Sequence, residues 1–178
     1  SSHAVSDDTQ TNWNGIIGQL FLEATNPIMI DRVRIYPDVP NKRAQVQISV
    51  RNHKRAAQRV TIALQAHSWN SGTAHVVKPL LLTVKLNRQD TIIHASYPMG
   101  DEMQLWSEYH PALYQLTVHM RSGRQLLDEQ IHHFGMRRFV AAGTQFRNND
   151  AVTFLRGKND GCIFPLTGYP AMDTAAWR

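Results

Sequence analysis

Polar and apolar residues alternate along much of this chain. In Arg32-Val33-Arg34-Ile35-Tyr36 and in Gln45-Val46-Gln47-Ile48-Ser49-Val50 every second residue is apolar. That period turns one face of a β-strand to a core and the other to water. Between these runs, Pro37-Asp38-Val39-Pro40-Asn41 predicts a turn, because neither proline can donate to a ladder. The same pattern predicts strands at residues 59–67, 74–77, 80–86, 91–95, 112–120 and 125–131. Asn70-Ser71-Gly72 reads as a turn, and Arg121-Ser122-Gly123-Arg124 as a hairpin connection. Roughly seven or eight short strands with no helical period predict an all-β fold, an immunoglobulin-like β-sandwich with extended N- and C-terminal segments.

The tail has a different pattern. Arg138-Phe139-Val140 and Thr144-Gln145-Phe146 flank Ala142-Gly143, and Asn148-Asn149-Asp150 precedes Ala151-Val152-Thr153-Phe154-Leu155. These read as small hairpins leading into a buried strand. Near the end, Asp173 or Thr174 is placed to cap a helix that starts at Ala175. A chain that stops where a helix begins reads as a piece of a longer protein. Neither terminal stretch has enough apolar surface for a core of its own.

Composition narrows the picture further. The length of 178 residues suits one ordinary domain with roughly forty residues over. Hydrophobic residues at 42% and charged residues at 19% describe a soluble globular protein. No apolar run approaches the roughly 20 residues of a membrane span, so no membrane partner is expected. Ser1 to Asn14 lacks the basic and apolar segments of a signal peptide. If the parent protein is periplasmic or secreted, its signal lies upstream. Cys162 is the single cysteine, so no intrachain disulfide forms. A net charge of +5 with a pI near 9.7 raises nucleic acid as a partner, but the cations are not clustered as phosphate binding requires. No nucleic-acid partner is expected.

Two segments carry a family resemblance. Leu105-Trp106-Ser107-Glu108-Tyr109-His110-Pro111-Ala112-Leu113-Tyr114 is followed by Phe134-Gly135-Met136-Arg137-Arg138-Phe139. Together they resemble the Leu-Trp-Ser-x-x-x-Pro-x-Leu-Tyr and Phe-Gly-x-Arg segments of the central immunoglobulin-like domain in glycoside hydrolase family 2. That family includes β-galactosidases, β-glucuronidases and β-mannosidases. Asn148 to Asn159 is similar to the family's entry into its catalytic (β/α)₈ barrel, with Asn149-Asp150 standing where Asn-Gly is usual. Thr11-Asn12-Trp13-Asn14-Gly15-Ile16-Ile17-Gly18 resembles the last strand of the preceding jelly roll.

The resemblance implies three parts. Residues 1–25 would end a jelly-roll sugar-binding domain, 26–135 would form the sandwich, and 136–178 would lead into a truncated catalytic barrel. The adjacent domains would be its partners, and carbohydrate the substrate of the full-length enzyme, an exo-β-glycosidase such as a β-galactosidase. Retaining cleavage needs two carboxylates about 5–5.5 Å apart. The family carries them on later barrel strands, so this chain alone is expected to be inactive, with no catalytic residue, cofactor or metal. By the same resemblance Arg156, Asn159 and Asp160 are the candidate substrate-binding residues, at the end of the first barrel strand. Gly157-Lys158-Asn159-Asp160-Gly161 keeps the family's Asn and lacks its His. A free-standing carbohydrate-binding or protein-interaction sandwich is the alternative reading.

Other candidates weigh less. Glu102 and Glu108 lie near aromatic residues but read as solvated loop carboxylates. Asp101-Glu102 lacks the spaced ligands of a calcium loop. His132-His133 cannot share an ion, since neighbours on a strand face opposite sides. His67, His75, His94 and His119 fall singly on strands. Trp106, Pro111 and Tyr114 read as a packed corner of the sandwich before a sugar-stacking platform, and the same holds for Trp69 and Trp13.

Overall fold

The computed structural model describes residues 16, 19–54, 56–87, 90–157, 166–167, 171 and 173–177. Its main body is built from β1 (Ile28–Asp38), β2 (Arg43–Asn52), β3 (Gln58–Ser68), β4 (Leu80–Leu86), β5 (Thr91–Pro98), β6 (Tyr114–Ser122) and β7 (Gln125–Phe134). One antiparallel sheet has the order β1-β2-β5 and the other β4-β3-β6-β7. On β2 the buried hydrophobic residues are Ala44, Val46, Ile48 and Val50; on β3 they are Val60, Ile62, Leu64 and Ala66. On β6 Tyr114, Leu116, Val118 and Met120 point inward. The alternation of the sequence thus becomes two inner faces closing one core, and the fold is an all-β sandwich.

Side chains join the sheets along one edge. At Ile30 the register of β1 slips against β2. The freed Ile30 N–H donates to Asp128 on β7 at 2.6 Å, and Gln130 Nε2 returns a bond to Ile30 O at 2.6 Å. Asn26 Nδ2 donates to Leu127 O at 2.6 Å. These bonds satisfy main-chain groups that a sheet edge otherwise leaves open.

One expected strand is missing. Residues 74–77 make a single bridge, His67 to Val76, rather than a strand. Pro79 has no N–H to continue the ladder, and pairing with β3 resumes only at Leu80. The interruption has a consequence on β3. Ala66 O accepts from Val77 N at 2.9 Å, while Ala66 N–H, which faces the same side, donates to the hydroxyl of Tyr97 on β5 at 3.1 Å.

The predicted hairpins follow as β8 (Phe139–Ala142), β9 (Gln145–Asn148) and β10 (Ala151–Thr153), a separate antiparallel sheet. They belong with the sandwich to one compact unit, Thr25–Phe154. The buried strand expected at residues 151–155 is corrected: Phe154 is 78% and Leu155 65% exposed. β10 is an edge strand paired only with β9, so nothing among its sheet neighbours covers that end.

Segments Ser1–Ala24 and Leu155–Arg178 form a second unit. In it the expected helix start is a 3₁₀ turn, Ala175–Trp177. Asp173 Oδ1 accepts from Ala176 N at 3.1 Å, the bond expected of an N-cap.

Candidate functional site

The segment from Leu105 to Tyr114 folds into a tight corner. Ser107 N donates to His110 O at 2.9 Å, and His110 N donates back to Ser107 O at 3.2 Å and to Ser107 Oγ at 3.0 Å. Asn70 clips the exit of this corner, donating through Nδ2 to Pro111 O at 2.8 Å and accepting from Leu113 N at 2.7 Å. Pro111, which has no N–H of its own, still offers that carbonyl.

Tyr114 anchors the corner in the core. Its ring is fully buried and stacks on Phe134, with centroids 5.6 Å apart. Gln104 N donates to its hydroxyl at 2.9 Å, and His75 Nδ1 lies 2.7 Å away. The hydroxyl thus lies between a main-chain donor and an imidazole nitrogen, and both its hydrogen-bonding sides are used. Burial raises the pKa of Tyr114 above the ordinary phenol value, against a smaller opposing effect of the Gln104 bond. It remains a neutral phenol.

Trp106 ties the corner to the segment that leaves the sandwich. Its N–H donates to Met136 O at 2.9 Å. A Cβ on Gly135 would meet Trp106 Cβ at 2.8 Å, so glycine is what lets the chain pass so close. The Arg137 guanidinium lies 5.0 Å from the centre of the indole, within range of a cation–π attraction. Asn149 completes the clamp. Its Nδ2 donates to Trp106 O at 2.9 Å, its Oδ1 accepts from Arg138 N at 2.9 Å, and its N–H donates to Arg138 O at 2.8 Å. Sequence reasoning saw Asn149 only as a turn residue. Its role as the bond between corner and hairpin depends on pairing between distant segments.

The remaining candidates fall as follows. Arg156 is exposed in the second unit, whereas Asn159 and Asp160 lie outside the described residues, as do Trp13 and Cys162. Glu102 and Glu108 are exposed. Asp101 accepts from Lys42 Nζ at 2.7 Å, and that bond, with the charge behind it, holds its carboxyl below the usual range. His132 and His133 diverge: His132 Nε2 contacts Gln130, while His133 reaches Gln115 and the ring of Trp69. Among the described residues no three His, Cys, Asp or Glu side chains gather around a common point.

This geometry sits inside a recognisable stretch of sequence. The family model described as glycosyl hydrolases family 2 matches residues 28–137, from the first strand to the clamp on Trp106. The chain belongs to glycosyl hydrolases family 2. Among solved structures, a glycosyl hydrolase family 2 member from Bacteroides cellulosilyticus is 22% identical with a TM-score of 0.63, covering 75% of this chain and 19% of that one. Bacteroides uniformis β-glucuronidase 2, solved covalently bound to cyclophellitol-6-carboxylate aziridine, is 19% identical with a TM-score of 0.60, over 74% of this chain and 17% of that one. The β-glucuronidase of Parabacteroides merdae is 16% identical with a TM-score of 0.53, over 74% and 16%. At these identities the likeness is one of fold. The chain spans under a fifth of the length of these family 2 structures. No curated protein matches it.

Proposed function

We propose that this segment is the central immunoglobulin-like scaffold of a family 2 exo-β-glycosidase, holding a preceding sugar-binding jelly roll and a following catalytic barrel in fixed relation. The observation that carries this reading is the clamp of Trp106 by Gly135, Met136, Arg137 and Asn149. A flexible outlet would let the next domain wander. Here the chain leaving β7 is bonded back to a corner of the sandwich before it enters the next sheet, and a rigid outlet transmits position. In the assembled enzyme Arg156, Asn159 and Asp160 would reach the sugar, and the two catalytic glutamates would come from the barrel.

The reading is tested by incubating the 178-residue chain with aryl β-galactosides, β-glucuronides and β-mannosides. No release of the aryl group above buffer is expected, because in this reading the two catalytic glutamates belong to later barrel strands. Turnover by this chain would sink the proposal.

A further inference from the structure

The outer face of the sheet β1-β2-β5 is set by register. Tyr36, Gln45 and Ser96 form one row across the three strands; Arg34, Gln47 and His94 form the next. Cross-strand neighbours stand about 4.5–5.5 Å apart at Cβ, so these side chains form one contiguous patch. Between the rows lies a shallow trough of about 210 Å³ lined by Tyr36, Gln45, Gln47 and His94, with Val46 and Ala95 beneath. Val46 and Ala95 turn their side chains to the core, so it is their main chain that floors the trough.

Its chemistry is selective. Tyr36 is 52% exposed on this strand face, and an exposed ring offers a flat apolar surface with a polar tip. Two carboxamides and an imidazole offer both donors and acceptors on one face. Arg34 stands in the row with Gln47 and His94, Arg32 in the row beyond it, and among the described residues neither has a carboxylate within ion-pair distance, whereas Arg51 is paired with Asp31 at 2.8 Å. Asp38, at the end of the face, accepts from the neutral amide of Asn41 and keeps its charge. The two arginines outnumber that one carboxylate, so the net charge of the face is positive, and a guanidinium is built to grip a planar carboxylate through two parallel bonds. The volume is below the roughly 300–1,000 Å³ of pockets for drug-sized ligands and suits one sugar ring.

We propose that this face is a binding site for acidic glycans: one ring lies on Tyr36, its hydroxyls meet Gln45, Gln47 and His94, and a uronate carboxylate meets Arg34. The site is independent of the scaffold reading, since it stands on the sheet opposite the one that carries Trp69 and uses none of the clamp residues.

Calorimetric titration of the 178-residue chain with trigalacturonate tests it, with neutral galactotriose, sulfated dextran and duplex DNA as comparisons. Saturable binding of the uronate and none of the neutral sugar is expected. Arg34→Ala should weaken it by about tenfold or more and Tyr36→Ala by about fivefold or more, each with an unchanged melting temperature. Trp69→Ala should leave it unaltered. Absence of uronate binding, loss with Trp69→Ala, or equal affinity for the sulfated polymer or DNA would each overturn the proposal, the last by reducing it to adhesion of polyanions.

Discussion

The hydroxyl of Tyr97 on β5 accepts a hydrogen bond from the main-chain N–H of Ala66 on β3, 3.1 Å away across the interior of the sandwich. Where the ladder from β3 to β4 breaks at Pro79, a side chain from the other sheet supplies the missing acceptor. Burial raises the pKa of Tyr97 above the ordinary phenol value.

Tyr97→Phe keeps the ring and removes the acceptor. A buried N–H left unsatisfied costs about 1–3 kcal/mol, so the unfolding free energy should fall by that amount, read as a lower urea midpoint with an unchanged slope. A loss below about 0.5 kcal/mol would show that water reaches Ala66.

Gly135→Ala places a methyl 2.8 Å from Trp106 Cβ and 3.0 Å from Cγ. Overpacking of this kind costs about 1–3 kcal/mol. In a Trp106→Ala background most of that cost should vanish, giving a strong coupling in a double-mutant cycle. Additive effects would mean that the two residues do not meet.

The two-residue loop between β9 and β10 has φ of 49° at Asn149 and 68° at Asp150, both left-handed. That is the type I′ hairpin, in which glycine is favoured second. Asp150→Gly gives up only an exposed contact with Arg138, a class of pair that contributes about 0–1 kcal/mol, while relieving the backbone, so net stability should shift by about 0.5 kcal/mol or less. Asp150→Val, branched at Cβ, should cost about 1–2 kcal/mol. Equal stability of the two variants by chemical denaturation would contradict the turn assignment.

His132 has its pKa lowered, first by burial and then by the neighbouring His133. In the unfolded chain the imidazole takes a proton near pH 6.5; in the folded chain it resists until lower pH. Stability is therefore present above about pH 6.5 and declines as pH falls through the interval below it. The melting temperature of His132→Gln should fall less steeply than that of the parent between about pH 7 and 5. Parallel curves would assign the acid sensitivity elsewhere.

Much of the fold was legible because a strand's period of two is written residue by residue. Ile48 is buried and Gln47 is not for reasons that each position carries by itself. Residues 74–77 carry that alternation too, yet form only one bridge, since Pro79 acts on the pairing beyond them. Of the candidate sugar contacts, Arg156 is exposed and Asn159 and Asp160 fall outside the described residues. The trough around Tyr36 was invisible because Gln45 and His94 meet only through their separate pairings with neighbouring strands.

The sequence by itself determined the strand faces, the hairpin turns, and the two motifs around Trp106 and Gly135 that mark family 2. These depend on local period, on turn chemistry, and on short runs of residues. Only the tertiary structure decided that Asn149 bonds to Trp106, that Tyr97 completes β3, and that Arg34 stands beside Gln47 in the row next to Tyr36. Each of those joins residues brought together by sheet register and sandwich closure, which the whole chain sets at once and no short segment encodes.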